Sequence, residues 1–213
     1  MFGMPELNMN DIIHAAVRRD LGRIEGALRT FSEGDRARAG ALQRAWETLW
    51  RQLHHHHVGE DSHVWPYLRS LGVLDERMLE EMEHEHEAMA AAMTAATAGM
   101  AAFADAPTTS NAVQAADLVA RAHEITEQHL VHEETAVIPF IEERWDTPEW
   151  KATEKQLRKG SPSHNGEFFA WLQDGATPEI LAGLRANIPA PVVFVLSRVF
   201  GRRYAREVAP VWR

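Results

Sequence analysis

Apolar residues recur along this chain at alternating steps of four and three, the spacing that lines one face of an α-helix. Val17, Leu21, Ile24, Leu28 and Phe31 form the first such stripe. It predicts a helix over residues 10–31, with Asn8 or Asn10 placed to cap its free N–H groups. The loop SEGDRARAG leads into a second stripe of Leu42, Trp46, Leu49 and Leu53. LRSLGVLD turns the chain into a third, Met82, Met89, Met93, Met100 and Phe103. Proline and small polar residues in DAPTTSN break it, and Leu118, Ala122, Ile125, Val137 and Phe140 form the fourth. Amphipathic helices on short loops predict an all-α, up-down-up-down four-helix bundle over residues 8–143.

After Glu143 the pattern changes. WDTPEW, GSPSHNG, DGATPE and NIPAP punctuate short helical pieces rich in aromatics, among them Trp150, Phe168, Phe169, Trp171, Phe194 and Trp212. Residues 144–213 therefore read as a helical C-terminal appendage packed on the bundle. It is expected to cap an apolar face or to join a second copy into a homo-oligomer.

The stripes also carry polar side chains. Three residues before Val17 stands His14; three after Leu53 stands His56, and four further Glu60. His86 follows Met82 by four and precedes Met89 by three, while His84 falls off this face. His129 follows Ile125 by four, with Glu133 four further on. An internal repeat supports two of these assignments. HHVGEDSHVWPYL, from His56, aligns with HLVHEETAVIPFI, from His129, both reading His-x3-Glu-x5-Pro-aromatic. Residues four apart share a helix face, so each copy offers an imidazole and a carboxylate side by side.

One histidine at a core position is commonly a hydrogen-bonded core residue. Four, with two carboxylates whose burial would cost on the order of several kcal/mol each, point instead to metal. Nitrogen and oxygen donors without sulfur suit iron, with manganese ranking second. Two octahedral ions offer about twelve positions; four imidazoles and two bridging carboxylates fill about eight, leaving about four for a bridging oxygen, water or substrate. His54, His55, His57 and His63 are expected only to flank the motif, and His123 and His164 to be solvated. His132 lies near the ligand face, and the repeat register prefers His129 over it.

Composition narrows the rest. The 213 residues contain no cysteine, which excludes disulfides and thiolate chemistry. Residues 1–143 carry 11 arginines and no lysine against 24 carboxylates, net −13; residues 144–213 carry 11 basic against 7 acidic residues, net +4. An acidic main body argues against nucleic acid. The start, MFGMPELNMND, has no basic and apolar leader pattern. The most apolar run, residues 191–196, is far too short to span a bilayer. The expectation is a cytoplasmic protein with no membrane partner.

With these residues in view, His14, His56-x3-Glu60, His86 and His129-x3-Glu133 resemble the H…HxxxE…H…HxxxE signature of bacterial hemerythrin-like (HHE) proteins. The resemblance covers residues 10–143. It implies a four-helix bundle with two iron ions joined by carboxylates and an oxo or hydroxo bridge. The four histidines would be terminal ligands, and Glu60 and Glu133 the bridges. The oxygen-carrying hemerythrins have a fifth histidine four residues further along the third helix, where this chain has Ala90, and an aspartate where it has Glu133. One fewer imidazole implies a further open position. This variant is similar to family members that handle peroxide or sense iron. The expected function is reaction of a non-haem di-iron centre with O2, H2O2 or NO, most concretely peroxide decomposition. Two alternatives are a sensor or store of O2, NO or iron without turnover, and a di-iron oxygenase whose appendage forms an organic-substrate pocket.

Overall fold

The computed structural model describes residues 7–213, so Met1–Glu6 of the stretch read for a leader lie outside the described residues. Helix α1 (Met9–Arg29) begins at Asn8, not Asn10. The Asn8 side chain accepts the Asp11 N–H at 3.1 Å, and the Asp11 carboxylate accepts the Asn8 N–H at 2.8 Å. This reciprocal cap satisfies two otherwise free donors. Helix α2 (Arg36–Gly59) runs unbroken into a π-helical turn (Glu60–Val64) and then α3 (Trp65–Leu71). There the Trp65 N–H reaches back five residues to the Glu60 carbonyl. Pro66 follows directly and has no N–H to offer the normal ladder, which accounts for a widened turn here. Gly72, at φ 61°, closes α3.

Helix α4 (Glu76–Asp105), α5 (Thr109–Ala136) and the short α6 (Ile138–Glu142) complete the bundle. Each of α1 and α4 packs on both α2 and α5, and the connecting loops are short enough to make chain neighbours antiparallel. Leu21, Ile24, Trp46, Leu49, Met93 and Phe103 meet in the fully buried centre. Phe31 and Phe103 stack edge to face at 4.7 Å.

The fourth stripe is right at Ala122 and Val137, both fully buried, and needs correction at Leu118, Ile125 and Phe140. The face of α5 that is buried carries Ala112, Ala115, Ala116, Val119, Ala122 and Thr126. Leu118 is 37 % exposed, and Ile125 and Phe140 are only partly covered. Alanines admit the backbone of α4 closely: a Cβ built on Gly99 would lie 3.6 Å from the Ala115 Cα. Small residues carry little hydrophobic signal, so the larger side chains that flank this seam dominate the pattern along α5.

Beyond the bundle come α7 (Pro148–Leu157), α8 (Pro162–Gln173), α9 (Pro178–Asn187), α10 (Ala190–Val199), α11 (Arg202–Glu207) and a 3-10 turn (Ala209–Trp212). The first three open identically, with Thr147, Ser161 or Thr177 as N-cap and proline at the first helical position. Helix α8 crosses α1, where the Trp171 indole donates to buried Asp20 at 2.8 Å. It meets α10 through glycine: a Cβ on Gly166 would lie 2.6 Å from the Leu196 carbonyl oxygen. Val192, Phe194, Val195 and Val199 of α10 face outward. Among the described residues no single helix is long and apolar enough to cross a membrane.

Candidate metal centre

Helices α1, α2, α4 and α5 each turn a histidine into the space between them. The Nε2 atoms of His14 and His56 approach to 3.2 Å, and those of His86 and His129 to 3.1 Å. Glu60 lies 3.1 Å from the His56 nitrogen and 3.7 Å from that of His86. Glu133 lies 3.3 Å from His14 and 3.9 Å from His129. Each carboxylate therefore reaches both imidazole pairs. All six residues expected from the sequence converge, and His84 stays outside, exposed and bonded to its own helix at the Glu80 carbonyl.

His57 was expected only to flank this set. It is instead 6 % exposed, stacked on His86 at 4.3 Å and edge-on to His129 at 5.4 Å. Donor atoms of His57, His86 and His129 lie within 4.8 Å of one another, as do those of His14, His56 and Glu133, and of His56, His57 and Glu60. Successive helical residues differ by roughly 100° in direction, so His56 faces α1 while His57 faces α4. The sequence contained the signal, since Leu53 plus four is His57. Ala90 leaves α4 with a single inward imidazole, yet among the described residues five rings converge, the fifth coming from α2.

An outer ring of carboxylates fixes three of these imidazoles. His14 Nδ1 meets Glu134 at 2.8 Å, His86 Nδ1 meets Asp61 at 2.7 Å, and His129 Nδ1 meets Glu85 at 3.0 Å. Such bonds turn Nε2 inward and raise its basicity, the arrangement common around metal-binding histidines. Asp61 also accepts from the Trp65 indole at 3.0 Å, and Arg18 clamps Glu134 at 2.7 Å. None of the three carboxylates was singled out from the sequence. Two of them were visible in the repeat, where Asp61 and Glu134 occupy the same position one residue after each glutamate.

Burial governs the charge states. It pushes His56 down to about 3 and His57 well below the usual imidazole range, leaving both neutral with a lone pair free. Burial also opposes charge on His14, but the Glu133 and Glu134 carboxylates beside it outweigh burial and hold this ring up at about 9. Burial and then the Glu133 charge drive Glu60 well above the carboxylate range. Glu133 is held at about 2 despite burial, chiefly by the His14 ring beside it. The two facing carboxylates are short of positive charge, and a cation between them would supply it.

Both Glu60 oxygens, Glu133 Oε2 and His57 Nε2 are buried without a hydrogen-bond partner. Buried polar atoms are normally paired, so orphaned acceptors converging with neutral imidazoles fit a metal with nitrogen and oxygen ligands. The remaining histidines are peripheral, but neither His123 nor His164 is fully solvated. His164 is half-buried rather than solvated, because α8 lays it on His55 at a ring distance of 4.1 Å. His123 is partly covered and lies 3.7 Å from Glu25.

No curated protein and no solved structure matches the chain significantly. The family model of the hemerythrin HHE cation binding domain matches residues 10–141, well over half of the chain and all the converging residues. A bundle of this topology, with its imidazoles and carboxylates gathered at one level of the core, is what that match leads one to expect, and the chain belongs to the hemerythrin HHE cation-binding family.

Proposed function

We propose that this cluster holds two iron ions and that the protein reacts there with small oxidants, O2, H2O2 or NO, peroxide decomposition being the concrete activity. The observation that carries the reading is that Glu60 and Glu133 each reach both groups of imidazoles. His14 and His56 would hold one ion, His86, His129 and the unforeseen His57 the other, and the two carboxylates would be shared. When bound, the ions supply one-electron redox chemistry and Lewis acidity.

The protein's own residues prepare the site. Glu60 and Glu133 bring negative charge into a core that otherwise excludes it. Asn10 Nδ2 donates to Glu133 Oε1 at 2.9 Å and fixes the orientation of that carboxylate. Asp61 and Glu85 hold the Nδ1 protons of His86 and His129 outward so that Nε2 of each faces in, and Glu134 orients His14 through the same ring atom. Buried Trp65, Met82 and Met89 keep bulk water from the α4 side. Peroxide disproportionation suits such a site because one peroxide is oxidised to dioxygen while another is reduced to water, and no separate electron donor is required.

The test is anaerobic reconstitution with ferrous iron, metal analysis, and peroxide consumption with release of dioxygen. About two irons per chain and peroxide loss well above an equal concentration of free iron would support the reading. Full iron content with peroxide left intact would refute turnover and favour a sensor or store.

A further inference from the structure

A cavity of about 420 Å³ opens beside the cluster, between the bundle and the appendage. Its inner wall includes His56 and Glu60; among the described residues that line it are none of His86, His129 and Glu133. The other walls come from Ile13 of α1, Trp150 and Leu157 of α7, Phe168 of α8 and Leu196 of α10. Residues 142–213, which the family model does not cover, thus build much of the enclosure.

The cavity is predominantly apolar, but it holds specific polar atoms. Gln52, one turn before His56, is 2 % exposed and lines the cavity, and both its amide nitrogen and its amide oxygen lack a partner. The Trp150 indole N–H is likewise buried and unpartnered. A buried amide with neither hydrogen bond made is costly, and a ligand that satisfied both would recover that cost. Arg158 is the one lysine or arginine among the described residues that line the cavity, and it is paired with Glu154 at 2.6 Å, so no free cation is left for an anionic head. An ammonium head could only donate and would leave the Gln52 amide nitrogen without its acceptor. The volume falls within the range of small-molecule sites, which are mostly apolar with a few placed polar groups.

We infer that this cavity binds a neutral organic molecule with an apolar body and one head that both donates and accepts a hydrogen bond, a carboxamide or a hydroxyl, paired to the Gln52 amide. A carboxamide fits best, since two amides face to face exchange two hydrogen bonds. The bound molecule lies against the His56 and Glu60 side of the cluster. The proposal deepens the reading of the metal centre by naming what meets it, and it rests on that reading only for the identity of the ions.

The experiment uses the full-length, iron-loaded chain with octanamide as probe, and n-octane and octanoate as apolar and anionic controls. Binding is followed by the change in intrinsic tryptophan fluorescence, to which Trp145 and Trp150 of the cavity wall contribute, and by the thermal transition, neither of which depends on turnover. Octanamide should bind saturably at one site and more tightly than either control. Gln52→Leu should weaken octanamide at least tenfold while leaving octane binding and iron content unchanged. Leu196→Trp should fill the cavity and abolish binding of both. Absence of saturable octanamide binding, or binding indifferent to both substitutions, overturns the proposal. Binding that behaves as expected in a protein that leaves peroxide intact would sink the proposed activity and leave this site standing.

Discussion

Replacing His57 by leucine should change the stability of the protein with opposite sign depending on whether metal is present. Leucine keeps most of the buried volume and removes the ring nitrogen that has no partner. Leaving such an atom unpaired costs about 1–3 kcal/mol. Stacking on His86, with centroids 4.3 Å apart, returns about 0.5–1.5 kcal/mol. The metal-free variant should therefore equal the parent or exceed it by about 1 kcal/mol, a Tm rise of about 2–4 °C for a chain of this size. With iron, the order should reverse. A metal stabilises the folded state according to its affinity, and each tenfold loss of affinity removes about 1.4 kcal/mol. Thermal melts of parent and variant, with and without iron and alongside iron analysis, would show the crossing. A His57→Leu protein with a full iron complement and an undiminished iron-induced rise in Tm would refute the ligand role. A metal-free variant melting several degrees below the parent would mean that the ring is needed for packing instead.

Three further outcomes follow from the same geometry. Glu60→Ala removes a carboxylate that reaches both imidazole pairs, so iron should fall well below two per chain; retention of both ions with an unchanged absorption spectrum would show that Glu60 is not shared. Asp61→Asn leaves the inner residues intact but takes the charge from the partner of His86 Nδ1, so metal affinity should drop about 10–100-fold in a chelator competition. An unchanged affinity would make that bond incidental. Gly166→Ala forces a Cβ to within 2.6 Å of the Leu196 carbonyl oxygen and should cost about 1–3 kcal/mol by prising α8 from α10. A Tm equal to the parent's would show that this contact relaxes freely.

Much of this was legible in the chain itself, for a definite reason. A helix repeats every 3.6 residues, so a side chain's place in an apolar stripe fixes whether it faces the core. That rule put His14, His56, His86 and His129 inside, removed His84, and with the repeat added Glu60 and Glu133. The same rule went partly astray on α5, where four alanines carry much of the seam and Leu118 and Ile125 border it. Periodicity also leaves a choice wherever two adjacent residues straddle the inward direction. His56 and His57 both satisfy the stripe from Leu53, and only the positions of α1 and α4 on either side of α2 bring both rings inward. The outer carboxylates belong to helices other than those of the histidines they hold, so their pairing exists only once the helices are packed. The cavity is the extreme case, with walls drawn from residues as far apart as Ile13 and Leu196. Local sequence sets which way a side chain points on its own helix; the empty space between helices, and the atoms that meet across it, come from tertiary packing.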